Sequence, residues 1–128
     1  ENHGNALLDS IDSFKAFAEF CPSEHVGVAL APYHLQRIKA SVPEAIRIAG
    51  KHLFFIYLWQ HAPGAGQLPG VGPTDVTPWL EALGEINYRY PCTPFMHHEP
   101  EPDEMADLFE KSVAYLKQSH AKAISAEK

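Results

Sequence analysis

Five histidines, His3, His34, His61, His97 and His98, stand at or just beyond the carboxyl ends of segments whose apolar patterning predicts β-strands. Imidazole titrates near neutral pH, so a histidine there can carry a proton, donate to a substrate hydroxyl or ligate a metal. His97 and His98 are adjacent, and an extended backbone sends them to opposite faces, so only one of the pair can look inward. The pattern makes His34 and His97 the candidate catalytic groups, with His3 and His61 as candidate substrate contacts. Tyr57 and Trp59, two residues apart on one strand, are further candidates for stacking on a ligand, although aromatic residues in a buried strand more often fill a core. The remaining histidines of the eight, His25, His52 and His120, lie at strand entries or near the end of the chain and read as surface or structural groups. The glycine-rich stretch Ala62 to Gly72 is too long for a simple turn and reads as a binding loop or lid. It has no Lys or Ser/Thr in Walker spacing, which excludes a nucleotide P-loop.

The elements that must position these groups alternate. A helix is expected from about Ala6 to Phe20, with Ile11, Phe14 and Ala18 on one face, closed by Pro22 and Ser23. Val26 to Leu30 is a short apolar run of the kind buried in parallel sheets. Ser41-Val42-Pro43-Glu44 is a capping-box sequence ahead of Ile46 and Ala49, with Gly50 as the stop. Leu53 to Trp59 is the clearest strand, apolar on both faces. Thr77 and Pro78 start a helix carrying Leu80, Leu83 and Ile86, and Thr93 to Met96 is a short strand interrupted by Pro94. The acidic run Glu99, Glu101, Asp103 and Glu104 reads as a solvated, dipole-favourable helix start. Behind it Met105, Leu108, Val113 and Leu116 are expected to face inward, and residues 120–128 to form a polar, frayed tail.

The order α-β-α-β-α-β-α implies right-handed βαβ units and a parallel sheet. A complete (β/α)8 barrel needs about 250 residues, so three strands amount to part of one, with residues 1–119 as a partial domain. Such a piece leaves strand edges unpaired and is expected to pair with a missing N-terminal half-barrel or to self-associate.

Composition narrows the partners. The formal charge is −6 and no basic stripe is present, which argues against nucleic acid. No apolar run approaches the roughly 20 residues that span a membrane. Cys21 and Cys92 form no C-x-x-C pair and read as reduced thiols, a weak pointer to cytoplasm.

The stretch Leu68-Pro69-Gly70-Val71-Gly72-Pro73-Thr74-Asp75, running into Trp79-Leu80-Glu81-Ala82-Leu83-Gly84-Glu85-Ile86-Asn87-Tyr88, carries a resemblance. It resembles the P-G-x-G-x-x-D loop and following helix after the seventh strand of the xylose-isomerase-like TIM barrels, the sugar and sugar-phosphate isomerases and epimerases. Val26 to His34 is similar to that family's sixth strand, whose usual ending is D-x-x-H, and Glu1 to Asn5 sits where its fifth strand ends. The resemblance implies strands five (its tip) to eight of a (β/α)8 TIM barrel. It implies proton transfer beside a carbonyl at the C-terminal mouth, acting on a sugar or sugar phosphate in carbohydrate metabolism. It also implies a divalent manganese, magnesium or zinc ion held by Glu, Asp, His and Glu. Carried over residue by residue, Glu1 matches the first carboxylate, Ala31 stands at the Asp position, Tyr57 at the His position and His97 at the last Glu position. His34 matches the sugar-contacting histidine. Glu1 and His97 are thus the candidate metal ligands, two where a catalytic zinc takes three plus water. The site has moved onto nearby histidines or has lost its metal, and the second alternative implies an inactive barrel that binds a carbohydrate or a protein partner.

Overall fold

Ser10 and Ser13 fix the first helix. The Ser10 hydroxyl accepts from the Ser13 N–H at 3.3 Å, and the Ser13 hydroxyl accepts from the Ser10 N–H at 3.0 Å. This reciprocal cap starts α1 at Ile11 (Ile11–Phe20) rather than at Ala6, because the residues ahead of it are already committed to turns. The computed structural model describes residues 1–126. After α1 come β1 (Val28–Leu30), α2 (Pro32–Arg37), α3 (Val42–Ala49), β2 (Leu53–Leu58), α4 (Thr77–Glu85), β3 (Cys92–Pro94) and α5 (Pro102–Ala126), with 3-10 turns at Gly50–His52 and Gly64–Gln67.

The sequence did not announce α2: six residues offer one buried apolar position after Pro32, Leu35, which is too little for a helical period. The Ser41 cap forms in half. Its hydroxyl accepts from the Glu44 N–H at 3.3 Å, while the Glu44 carboxylate lies 3.9 Å from Lys15 Nζ. β1 and β3 are each shorter than their apolar runs, and Val26 is 51% exposed.

The three strands form a parallel sheet in the order β1-β2-β3, with Leu30 opposite Ile56 and Tyr57 opposite Thr93. The protein is therefore α/β with parallel crossovers. One face of the sheet is covered: α1 packs on α3, α3 on α4 and α4 on α5. Under that layer lie Phe14, Leu30, Ile46, Ile56, Leu58, Trp79 and Leu83. Each such side chain contributes roughly 1.5–3 kcal/mol by leaving water. The other face carries Ala29, Phe55, Tyr57, Thr93 and Phe95, and all five are only half-buried. At the β1 edge the Asn2 N–H donates to the Ala29 carbonyl at 3.3 Å, so the first residues run alongside the sheet. Among the described residues no strand lies beyond β3.

The last helix departs from expectation in two ways. Val113 is 41% exposed, and the buried positions are Ser112, Ser119 and Ala123, small side chains that let α5 approach α4 closely. Of the bulky residues that hydrophobic spacing selected, Leu116 packs against the core and Met105 and Leu108 are half-buried, while the fully buried positions belong to small residues. The helix also continues through Ala126, with Ala123 buried, where a frayed tail was expected from 120 onward. Residues 127 and 128 of that tail lie outside the described residues. Among the described residues no helix is long and apolar enough to cross a membrane.

Candidate functional site

The carboxyl ends of the three strands bring together side chains far apart in sequence. β1 runs through Ala31 into α2, whose first turn presents Tyr33 and His34; Trp59 follows β2; Phe95 and His97 follow β3. His3 arrives from the segment beside β1. The rings form a continuous series, with centroids 4.1 Å apart for His3 and His34, 5.3 Å for His34 and Trp59, and 4.9 Å for Trp59 and His97. Tyr33 stacks on Trp59 at 4.3 Å and 11° between planes, and His61 meets Tyr33 edge-on at 4.9 Å. Phe95 closes the series against Trp59 and His97 at 5.1 and 5.0 Å.

Of the sequence candidates, His3, His34, Trp59, His61 and His97 thus share one cluster. Tyr57 lies one step down the same sheet face, against Phe55 and Phe95. His98 sits apart, near Gly64. Glu1 is exposed. Trp59 is 3% exposed, with one face under Tyr33 and its indole N–H donating to Gln67 Oε1 at 2.8 Å. It supports the neighbouring rings rather than offering an open face.

Sequence reasoning missed Tyr33 and the amide side chains that hold this arrangement. Gln67 Oε1 accepts both from Trp59 and from the His97 backbone N–H, the latter at 2.9 Å, so one atom ties the ends of β2 and β3. Gln60, fully buried, donates to the Leu68 carbonyl at 2.8 Å and accepts from the Thr74 N–H at 2.7 Å. Gln36 donates to the Thr74 hydroxyl and accepts from the His61 N–H. Asn2 spans Ala31 with both ends of its amide, donating to its carbonyl at 3.0 Å and accepting from its N–H at 2.6 Å. A polar residue directly after an apolar strand, as Gln60 is, was the available signal.

The glycine-rich loop is shaped by these clamps. A Cβ on Gly72 would stand 1.9 Å from the Gly66 carbonyl oxygen and 2.6 Å from the Gln60 amide carbon. Gly70 has φ of 78° and lies against the Tyr115 ring. The Tyr115 hydroxyl accepts from the Val76 N–H and donates to Asp75, each at 3.1 Å. The P-G-x-G-x-x-D run thereby docks the loop onto α5.

Electrostatics single out His34. Burial, then the neighbouring His3, Arg37 and His97, hold its pKa below the ordinary value of 6.5. Its Nδ1 is buried without a hydrogen-bond partner. A neutral ring with the proton on Nε2 leaves no buried N–H orphaned. Such a ring at pH 7 is suited to donating one hydrogen bond through Nε2. The thiol of Cys92, by contrast, is pushed up to about 11 by burial and is unreactive.

Among the described residues no three His, Cys, Asp or Glu side chains come together as a metal ion requires. Ala31 is fully buried and offers only backbone atoms, both already taken by Asn2. The donors among the described residues do not by themselves fit the divalent ion implied by the resemblance.

No protein-family model matches the sequence, and no curated protein matches it. The fold is similar to that in a crystal structure of D-psicose 3-epimerase obtained in the presence of D-fructose, with a TM-score of 0.59 and 22% sequence identity. The match covers 94% of this chain and 43% of the epimerase chain, so this chain spans less than half the length of that protein.

Proposed function

We propose that this chain forms the C-terminal βα units of a sugar isomerase/epimerase-type TIM barrel, with His34 and His97 carrying acid/base proton transfer beside the carbonyl of a sugar or sugar phosphate. The observation that carries the reading is the convergence of His3, His34 and His97 around Trp59 at the strand carboxyl ends, where barrel enzymes keep their chemistry. His34, held neutral with its proton on Nε2, donates to the carbonyl oxygen, and His97, packed against Trp59, takes the proton from the carbon beside the carbonyl. His3 and His61 contact hydroxyls, while Tyr57 and Trp59 shape the floor. The likeness to D-psicose 3-epimerase supports the coarser part of this reading, a sugar-epimerase-like fold. The half-buried aromatic face of the sheet supports completion by further βα units or by a second copy of the chain. A divalent ion on Glu1 and His97 would draw its remaining ligands from outside this chain, and no proton step here depends on it.

The test is solvent exchange. The protein is incubated with ketoses in D2O and loss of the proton beside the carbonyl is followed by NMR. Exchange that slows by about two orders of magnitude or more in His34→Ala and His97→Ala supports the reading. Unchanged exchange in both variants refutes the assignment. A second reading, a barrel relative that binds a carbohydrate or protein partner without turnover, is favoured by the lack of three converging ligands. It predicts sugar binding with no exchange at all.

A further inference from the structure

Beside His34 lies a cavity of about 150 Å³ whose polar lining includes His3, His34, Arg37, Asn2 and Asp9. Arg37 follows His34 by three residues on α2, so the two side chains share a helix face. The lowered basicity of His34 has burial as its first cause, then His3, then the Arg37 charge. Among the described residues Arg37 takes part in no ion pair: the chain's four involve Lys15 twice, His25 and Arg47. Asp9 lines the same cavity but stands beyond ion-pair distance of the guanidinium. The hollow thus gathers an unpaired guanidinium, two imidazoles and, beyond ion-pair distance of the guanidinium, the Asp9 carboxylate. A planar guanidinium left without a carboxylate matches an oxyanion in two parallel hydrogen bonds. Whole-ligand pockets run to roughly 300–1,000 Å³, so a cavity this size suits one substituent of a ligand and not all of it.

We propose that this cavity is an oxyanion subsite, in which Arg37, flanked by His3 and His34, receives the phosphate or carboxylate of an anionic sugar derivative whose remainder extends toward Trp59 and His97. The proposal rests on the reading of the strand ends as a sugar site, and it narrows the substrate class from neutral ketoses to phosphorylated or acidic ones. Arg37 is exposed, so its replacement is expected to leave the fold intact, which circular dichroism of the variant checks.

Calorimetric titration of the protein with D-fructose, D-fructose 6-phosphate and D-glucuronate, repeated on Arg37→Gln, tests it. An anionic sugar is expected to bind at least about tenfold more tightly than D-fructose, and Arg37→Gln to erase that preference while leaving D-fructose unaffected. Which anion shows the preference separates a phosphate site from a carboxylate site. If D-fructose binds and neither anion binds more tightly, the subsite is wrong and the sugar-site reading stands. A preference that survives Arg37→Gln also overturns the subsite. If nothing binds, both fall together.

Discussion

Replacing Gln60 by Met keeps the length and volume of a fully buried side chain and removes only its amide. Two hydrogen bonds disappear, but their costs differ. The Leu68 carbonyl, which accepts from Gln60, also accepts from the N–H groups of Val71 and Gly72 at 3.2 and 3.1 Å, so it stays satisfied. The Thr74 N–H has Gln60 as its acceptor at 2.7 Å and loses it. One orphaned, part-buried donor costs about 1–3 kcal/mol, and the shared Leu68 acceptor adds little. In a domain of this size each kcal/mol moves the melting temperature by roughly 3–6 °C, so Gln60→Met should melt roughly 3–18 °C below the parent. Circular dichroism measures that fall, and hydrogen exchange should find the Thr74 amide among those most deprotected. A change of less than about 2 °C with the Thr74 amide still protected would refute the clamp.

Gly72→Ala meets a backbone oxygen that cannot yield, so it is expected to destabilise by at least about 2 kcal/mol and to loosen His61 and His97 together; a melt within error of the parent would contradict this. His34 binds its proton less readily in the folded chain than its ordinary pKa of 6.5 implies. The unfolded chain therefore takes up more protons just below 6.5, so stability should fall as pH drops through and below that value and be fully present above it. His34→Asn should flatten that slope in denaturant titrations run from pH 5 to 8. The Asp75 carboxyl is held below its ordinary 3.8 by bonds from Thr77 first and then Tyr115, so its stabilising effect should persist above that value and vanish as acid protonates it; Tyr115→Phe should shrink the acid-side loss. Cys92, with its thiol near 11 and half-buried beside the β3 edge, should resist iodoacetamide at pH 8 until urea unfolds the chain. Mass spectrometry of the native protein settles that one.

The alternation of helices and strands was legible because Leu53 to Trp59 and the Ser41 cap each rest on local rules, period and capping, that tertiary context rarely overrides. The histidine cluster was legible for a related reason: in a parallel sheet the strand ends point one way, so residues just past each strand must meet. What stayed hidden depends on close approach in three dimensions. Ser112, Ser119 and Ala123 pack α5 against its neighbour because they are small, a property that hydrophobic spacing scores as a gap. The glutamines at 36, 60 and 67 carry no periodic signal, since their side chains bond across 8 to 38 positions of sequence. Trp59 was legible as an aromatic at the site but not as a supported one, because Tyr33 above it arrives on a helix too short to forecast.

The shared oxygen on Gln67 constrains how this molecule can change over generations. Because one acceptor serves both the Trp59 indole and the His97 backbone, no exchange at position 67 can retune one strand end and spare the other. Glutamate keeps two-fold acceptance but brings a charge among rings that repel one another's protons; leucine keeps the volume and accepts nothing. A change at 59 would free only the indole's share, and the His97 backbone N–H would still need its acceptor, so descendants of this chain should keep an acceptor at 67 whatever stands at 59.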